Sequence, residues 1–265
     1  VLQGFVGSAP TGATTTLGRG GSDTTAAALG AALRAREIQI WTDVDGILSA
    51  DPRIVPNARP ISELGFEEAI ELAYFGARVL HPSAAKHAAA AGIPIRVRNT
   101  FRPEGPGTLV RPDERTGTRV VAVACRGATA LVTVRSLRHF MAHGFLARVF
   151  DAVARARVPV DLVATSHTST GFTIADDEPL DDILAALEPF CETRVERGFA
   201  TLSVIGSGLL REAGTLARVF SVLADVPVRL VTQASDVSLN LLVRRDDAAR
   251  AMRRLHAALV EPPPA

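Results

Sequence analysis

The strongest constraint on the fold is an order of secondary-structure signals that occurs twice in the C-terminal half of the chain. The order strand, helix, strand, strand, helix runs first over residues 120–187 and again over residues 200–259. A short stretch recurs within it, because LARVF stands at residues 146–150 and again at residues 216–220. Two copies of about 70 residues with this order predict a duplication of ferredoxin-like βαββαβ units.

The N-terminal part alternates strands and helices instead. The pattern predicts a hairpin over residues 1–17, helices over 23–36, 66–74 and 77–91, and strands over 38–42 and 93–99. Such alternation is typical of an α/β layer architecture with a largely parallel sheet. Proline, glycine and charge are concentrated in residues 102–107 and again in residues 111–117, as in a linker. We therefore predict three domains, at residues 1–117, 118–198 and 199–265.

Composition excludes several classes of partner. The 29 basic and 28 acidic residues leave a net charge of +1, which provides no field to hold a nucleic acid or an anionic membrane. No apolar stretch approaches the roughly 20 residues of a membrane span.

The two cysteines, Cys125 and Cys191, are far apart in the sequence, which fits a reducing compartment and argues against structural zinc. We expect a cytoplasmic protein without a metal centre of its own.

The two ends of the chain carry expectations of their own. The chain begins at Val1 rather than at methionine, and residues 1–7 already alternate like a strand, so we expect that the natural start lies upstream. The proline-rich residues 261–265 fit either a chain end or a linker into a fused partner.

The first candidate binding site is the segment TTTLGRGGSD at residues 14–23, which opens an Ala-rich helix. Glycines let the backbone approach a ligand, and a helix start offers unpaired N–H groups and the positive end of a dipole. Arg19 can grip a carboxylate through its planar fork, while Ser22 or Asp23 can cap the helix in the same cleft. An ordinary glycine turn fits equally well. A Walker motif does not, because no lysine follows the glycines.

The second candidate site is the segment WTDVDG at residues 41–46, which follows a buried strand at its carboxyl end, where open α/β sheets bind ligands. The carboxylates of Asp43 and Asp45 and the hydroxyl of Thr42 can contact a ribose, a metal-bound nucleotide or a water. A plain strand followed by an Asp-Gly turn is the alternative. Arg53, after the rigid Asp51-Pro52 pair, faces either a phosphate or solvent.

Five segments, in their order and spacing, resemble the aspartate kinase family. They are TLGRGGSD at 16–23, WTDVDG at 41–46, DPR at 51–53, FGARVLHP at 75–82 and RVRNT at 96–100. The resemblance covers nearly the whole chain, since in that family two ACT domains, which are ferredoxin-like regulatory modules, follow the kinase domain. It implies an α/β fold made of the C-terminal part of an amino-acid-kinase-type sheet domain and two ACT domains.

The resemblance also implies roles for residues of the N-terminal part. It implies that Arg19 binds a carboxylate of aspartate. Beside it, around the reacting groups, the resemblance places Thr16, Ser22 and Asp23. In the nucleotide site it places Thr42, Asp43, Leu48, Arg53 and Arg78. Arg78 stands where lysine is usual and Leu48 where an aromatic residue is often found, and an arginine fork contacts phosphate differently from an ammonium.

The first repeat resembles the lysine-binding ACT site of lysine-sensitive family members. The positions carried over are Ala142, Gly144, Phe145, Leu146, Asp161, Ser166 and His167. In physical terms, the helix start at Gly144 can hold an amino acid's carboxylate and Asp161 can pair with its ammonium. The apolar members fit a core face as well. His167 stands where an acidic residue is usual, and Ala142 where some relatives have a hydroxyl, so a lysine side chain loses its anionic partner.

The function implied by the resemblance is aspartate kinase activity. ATP and L-aspartate would give ADP and β-aspartyl phosphate, with Mg²⁺ bridging the phosphates, and ACT domains would bind a feedback amino acid and join the chains into a homodimer. The family's Lys-Phe-Gly-Gly segment and an acidic substrate-binding residue would precede Val1, and Lys86, the only lysine, lies in a different context. We therefore expect these 265 residues alone to lack turnover.

Two other functions remain open. One is a non-catalytic, amino-acid-sensing regulatory subunit, and the other is a kinase of the same fold that acts on glutamate or carbamate. The order of the motifs favours the aspartate kinase.

Overall fold

The computed structural model describes residues 2–76, 79–112, 117–136 and 143–261. Its first half contains six strands and three helices within these ranges: β1 (Val6–Ser8), β2 (Thr14–Thr16), α1 (Gly21–Leu33), β3 (Ile38–Thr42), β4 (Glu63–Gly65), α2 (Phe66–Phe75), α3 (Pro82–Ala91), β5 (Ile95–Asn99) and β6 (Thr108–Arg111). The predicted hairpin is formed by β1 and β2, and the predicted strand at 38–42 coincides with β3.

The main sheet of this half has the order β3-β5-β6-β4 and is mixed rather than largely parallel. The pairs β3/β5 and β4/β6 are parallel, whereas β5/β6 is antiparallel. The antiparallel pair arises because the chain returns directly through the loop of residues 100–107, which ends at Gly107, whose φ is +63° and where a Cβ would lie 2.0 Å from the carbonyl oxygen of Val97. A parallel connection would need a far longer crossover.

Several boundaries differ from the sequence prediction: α1 covers Gly21–Leu33 rather than 23–36, and β5 covers Ile95–Asn99 rather than 93–99. Residues 108–110, which lie between the two predicted linker segments, form β6 together with Arg111, because Thr108 and Val110 alternate into the core and are fully buried. Helix α3 begins at Pro82 rather than at residue 77, since His81 caps it and its ring accepts a hydrogen bond from Ser83 N–H at 3.3 Å. Proline at the first helical position is favourable because its missing N–H needs no partner there.

The second half contains six strands and four helices within the described ranges: β7 (Arg119–Arg135), α4 (Phe145–Arg155), β8 (Val163–Thr165), β9 (Ser169–Ala175), α5 (Asp181–Leu187), β10 (Glu192–Ser207), α6 (Ala213–Val222), β11 (Val228–Thr232), β12 (Ser238–Arg244) and α7 (Arg245–Leu259). The order strand, helix, strand, strand, helix that the duplication predicts is present in both units, but β10, which opens the second unit, begins at Glu192 rather than at residue 200.

All strands of this half form one sheet with the order β11-β12-β10-β7-β9-β8. The central strands β7 and β10 are 17 and 16 residues long, and each belongs to both units. The first unit uses the end of β7 and the start of β10, and the second unit uses the other two halves. Along the chain, the first unit is therefore inserted between the first strand of the second unit and the remaining elements of that unit. The domain division predicted at residues 198/199 falls inside β10 and remains a prediction.

Two bulges allow the shared strands to serve both units. In β7, Val123 packs with residues of α6 and α7, whereas Ala130 and Val132 pack with α4 and α5. The inward positions therefore change from odd to even along one strand, which requires an extra residue because side chains alternate between faces. Phe199 and Thr201 of β10 pair with Thr129 and Arg126 of β7, so β7 has one extra residue between these pairs. The compensating extra residue lies in β10, between Glu196 and Phe199. Both helix pairs can then cover the same face of the sheet.

The two halves of the molecule share a hydrophobic core. Helix α2 contacts β7 and β10, and Ala122, Ala124 and Ile205 of the second half lie in one buried cluster with Leu72 and Phe75 of α2.

Burial raises the pKa of Cys125 to about 11, so this thiol stays protonated at neutral pH and packs as a small apolar side chain. Among the described residues no helix combines the length and apolarity needed to cross a membrane.

Candidate functional site

The start of α1 is shaped by glycines. Gly18 and Gly20 have φ of +74° and +68°, and a Cβ on Gly20 would lie 2.1 Å from the ring of His81. Gly20 is the N-cap, with no side-chain capping bond, and the backbone N–H of Thr24 donates to its carbonyl oxygen at 2.9 Å. The sequence prediction that Ser22 or Asp23 caps this helix is therefore wrong. A left-handed glycine closes the first turn through the backbone, which leaves these side chains for other partners.

The predicted substrate residues lie around this helix start. Thr16, Arg19 and Ser22 are exposed. Asp23 is partly buried, and its Oδ2 accepts a hydrogen bond from the N–H of His81 at 3.2 Å, which joins the starts of α1 and α3. The arrangement presents one cation and two hydroxyls beside a helix start, and all three can bind an anionic ligand.

A second feature of this half is a cavity of about 390 Å³ at the carboxyl ends of β3 and β5. Its lining residues are Asp43, Val44, Asp45, Leu48, Asn99, Phe101 and Arg102. The two strands are parallel, with Thr42 opposite Asn99, so the loops that follow them meet at one edge of the sheet. This is the position at which open α/β sheets bind ligands.

A hydrogen-bonded network holds the polar wall of this cavity. Asn99 Nδ2 donates to Asp45 Oδ1 at 2.7 Å, and Arg102 Nη1 lies 2.9 Å from Asp45 Oδ2. The N–H of Phe101 donates to Asn99 Oδ1 at 2.8 Å. Asp45 is thus engaged through both oxygens. Asp43 is exposed, and the Thr42 hydroxyl donates to its Oδ1 at 3.1 Å.

Not every predicted nucleotide residue lies at this cavity. Asp43 and Leu48 line it and Thr42 adjoins it. Arg53 instead makes a forked contact with Asp51, with Nη2 2.6 Å from Oδ2, and these hydrogen bonds lower the pKa of Asp51. Arg78 lies outside the described residues. The sequence reading assigned no role to Asn99, Phe101 or Arg102, although Asn99 stands in one of the resembling segments, and parallel pairing with β3 is what brings it to the cavity.

The first unit of the second half has a cavity of about 290 Å³ beside the start of α4. Its lining residues are Ser136, Gly144, Phe145, Leu146, Thr165, Ser166, His167, Thr168, Ser169 and Thr170. Gly144, with a φ of +83°, is the N-cap of α4 and makes no side-chain capping bond. Five of the seven predicted effector residues line this cavity, and Ala142 lies outside the described residues. The hydroxyls of Thr168, Ser169 and Thr170 were missed, because their convergence depends on the turn between β8 and β9.

Asp161 does not line this cavity. Its side chain is only 3 % exposed, and its Oδ1 lies 3.0 Å from Arg126 Nη1 and accepts a hydrogen bond from the hydroxyl of Tyr74. Arg126 also lies over the Tyr74 ring, 4.9 Å from its centroid. Burial and then the hydrogen bond to Asp161 raise the pKa of Tyr74. Asp161 therefore joins the first unit of the second half to α2, and its Oδ2 has no partner among the described residues.

Comparisons with known proteins agree with both halves. The model of the amino acid kinase family matches residues 1–99, and an ACT domain model matches residues 202–259. The chain is 41 % identical over 270 residues to lysine-sensitive aspartokinase 3 of Escherichia coli, which covers 98 % of the chain and 60 % of that protein. It is 35 % identical over 268 residues to an aspartokinase of Geobacillus stearothermophilus, which covers 97 % of the chain and 65 % of that protein.

Solved structures extend the likeness to three dimensions. The structure of E. coli aspartokinase III with aspartate and ADP, in the R-state, matches 98 % of the chain and 60 % of its own length with a TM-score of 0.89 at 40 % identity. The T-state structure with lysine and aspartate matches with a TM-score of 0.81. The arrangement of the described residues is therefore more similar to the R-state than to the T-state.

Fold and sites together define an amino-acid-kinase-type segment joined to ACT-type regulatory units. The chain belongs to the aspartokinase family. It spans about 60 % of the length of the E. coli relative.

Proposed function

We propose that the whole protein transfers the γ-phosphate of ATP to the β-carboxylate of L-aspartate, giving ADP and β-aspartyl phosphate. The observation that carries this proposal is the likeness, over 98 % of the chain, to an aspartokinase structure that holds aspartate and ADP. The cavity at the carboxyl ends of β3 and β5 supports it, because this edge of the sheet suits a nucleotide.

The residues take complementary roles in this proposal. Arg19 binds a carboxylate of aspartate, with Thr16 and Ser22 beside it, and Asp23 orients the helix start through His81. Thr42, Asp43 and Leu48 contact the nucleotide. The resemblance alone assigns Arg53 and Arg78 to its phosphates, because Arg53 pairs with Asp51 in this structure and Arg78 lies outside the described residues. Phosphoryl transfer depends on positioning and charge stabilisation rather than on covalent chemistry by the protein, so such side chains suffice for this part of the reaction.

Mg²⁺ enters this proposal as part of the nucleotide substrate. No group of three His, Cys, Asp or Glu in the described ranges could hold a metal ion, and both oxygens of Asp45 are already bonded. Mg²⁺ commonly keeps several waters and binds through substrate phosphates with one or two carboxylates. Asp43, exposed at the cavity, is the carboxylate that fits this arrangement.

Activity of the full-length protein tests the proposal directly. We expect ADP release from ATP that depends on L-aspartate, with much slower release with L-glutamate or carbamate, measured in a coupled assay. Amino-acid binding without any turnover would favour the regulatory subunit instead. The match of the amino acid kinase family to residues 1–99 supports the kinase.

The cavity beside α4 is proposed as the site of a feedback amino acid, and pairing of ACT units as the contact that forms a homodimer. The N–H groups at the start of α4 can hold the carboxylate that every amino acid carries. His167 lines the same cavity and decides the side chain that fits.

Replacing His167 by glutamate is expected to increase lysine affinity about tenfold, within the usual range of allosteric coupling energies. An imidazole carries no negative charge in either protonation state, so it offers an ε-ammonium no attraction comparable to that of a carboxylate. Calorimetric titration of the full-length protein with lysine, threonine and methionine measures this effect. His87→Glu on the exposed face of α3 is the matched control. Tight lysine binding by the unaltered protein, or no gain in His167→Glu, would contradict the role given to this position.

A further inference from the structure

The segment of residues 47–61, between β3 and β4, lies between the candidate nucleotide cavity and the second regulatory unit. Leu48, near its start, lines the cavity. Ala50 and Val55, which are 7 % and 4 % exposed, belong to the same buried cluster as Met252 and Leu255 of α7. A segment that follows a kinase strand therefore has its apolar side chains in the core of a regulatory unit.

Ser49 is the polar centre of this contact. Its hydroxyl oxygen lies 2.8 Å from His256 Nε2, and the two residues are 1 % and 0 % exposed. The N–H of Arg59 donates to the same hydroxyl oxygen at 3.1 Å, and the N–H of Val123 in β7 donates to the Ser49 carbonyl oxygen at 2.9 Å. Arg59 Nη2 in turn donates to the carbonyl oxygen of Val260 at 2.5 Å. Ser49 is thus bonded to the end of α7 and to β7, one residue from the cavity.

The direction of the Ser49–His256 bond follows from its neighbours. His256 Nδ1 lies 3.2 Å from Glu261 Oε1, and an ionised carboxylate only accepts, so Nδ1 carries the proton. Nε2 of the neutral ring is then an acceptor, and the Ser49 hydroxyl donates to it. Burial lowers the pKa of His256, with the Arg59 guanidinium acting in the same direction and Glu261 opposing it, so the ring is neutral near pH 7. A buried donor without an acceptor is costly, which holds Ser49 against α7.

We propose that His256 is a positioning residue for the nucleotide site, which acts through Ser49 so that the second regulatory unit sets the affinity for nucleotide. This inference rests on the proposed function of the cavity at β3 and β5. The Ser49–His256 hydrogen bond connects the regulatory half to that cavity. His256 therefore needs no contact with the ligand.

ADP binding to the full-length protein, measured by calorimetry, tests this inference. His256→Leu fills a similar volume but removes the acceptor, and Ser49→Ala removes the donor. We expect each to raise the Kd for ADP and the KM for ATP at least fivefold, while the KM for aspartate changes less than twofold. His256→Gln places an amide oxygen near the position of Nε2 and should restore most of the affinity.

The control is Val219→Ala on α6, which is buried in the same cluster but has no hydrogen bond to residues 47–61. It should destabilise the unit and leave the Kd for ADP unchanged. An unaltered Kd for ADP in Ser49→Ala, or an equal loss of ADP affinity in Val219→Ala, overturns this inference and leaves the proposed function standing. If the unaltered protein binds no ADP, the proposed function falls and the inference with it. Should His256→Leu fail to fold, Ser49→Ala decides.

Discussion

Replacing Arg19 by alanine in the full-length protein is expected to raise the KM for aspartate by on the order of 100-fold and to change the KM for ATP less than about twofold. Truncating one partner of a charge-assisted pair in a binding site typically costs about 2 to 5 kcal/mol, because the other charge is left without its counterion. Steady-state kinetics with each substrate varied in turn measures the two constants.

The structure makes this variant suitable for the test. Arg19 is exposed between two glycines with positive φ, and within the described part of the chain its side chain has no ion-pair partner, so its removal should leave the melting temperature unchanged. Arg36→Ala, at an exposed position after α1, is the matched control for loss of one positive charge. Unchanged aspartate kinetics in Arg19→Ala would refute the assignment of this helix start to the amino-acid substrate.

The second large effect is expected at Asp161, where alanine should lower the free energy of unfolding by about 2 kcal/mol. Breaking a buried ion pair costs more than that in general, but Arg126 is one-third exposed and water partly replaces the lost carboxylate. Tyr74→Phe, which removes only the hydroxyl that donates to Asp161, should cost about 1 kcal/mol. Denaturant unfolding followed by circular dichroism measures both values.

The same variants separate two roles for Asp161. In this structure the carboxylate joins the first regulatory unit to α2, whereas the sequence suggests that it holds the ammonium of an effector. Asp151→Ala, at an exposed position on α4, controls for loss of a carboxylate in that unit. If Asp161→Ala keeps full stability and loses amino-acid binding, the side chain belongs to the effector site. A loss of stability as large as expected would assign it to the contact between the halves.

The local elements follow from the sequence because their signals are local. Hydrophobic alternation places β3 at its observed bounds, and the repeated pattern predicts the elements of both regulatory units. The five resembling segments identify the family for the same reason, since each is a short run whose glycines, carboxylates and spacing are visible without any pairing.

The partners of these elements are decided by the tertiary structure. No periodicity within residues 192–207 indicates that one strand serves two units, because that depends on pairing with β7 and on a bulge in each strand. The partner of Asp161 is likewise set by a tyrosine 87 residues away in the chain, and that of Ser49 by a histidine 207 residues away. By itself the sequence determined the elements, their order and the family, whereas the sharing of β7 and β10 and the contacts between the halves came only from the tertiary structure. The physical reason is that hydrophobic patterns report which face of an element is buried, but not which distant side chain meets it.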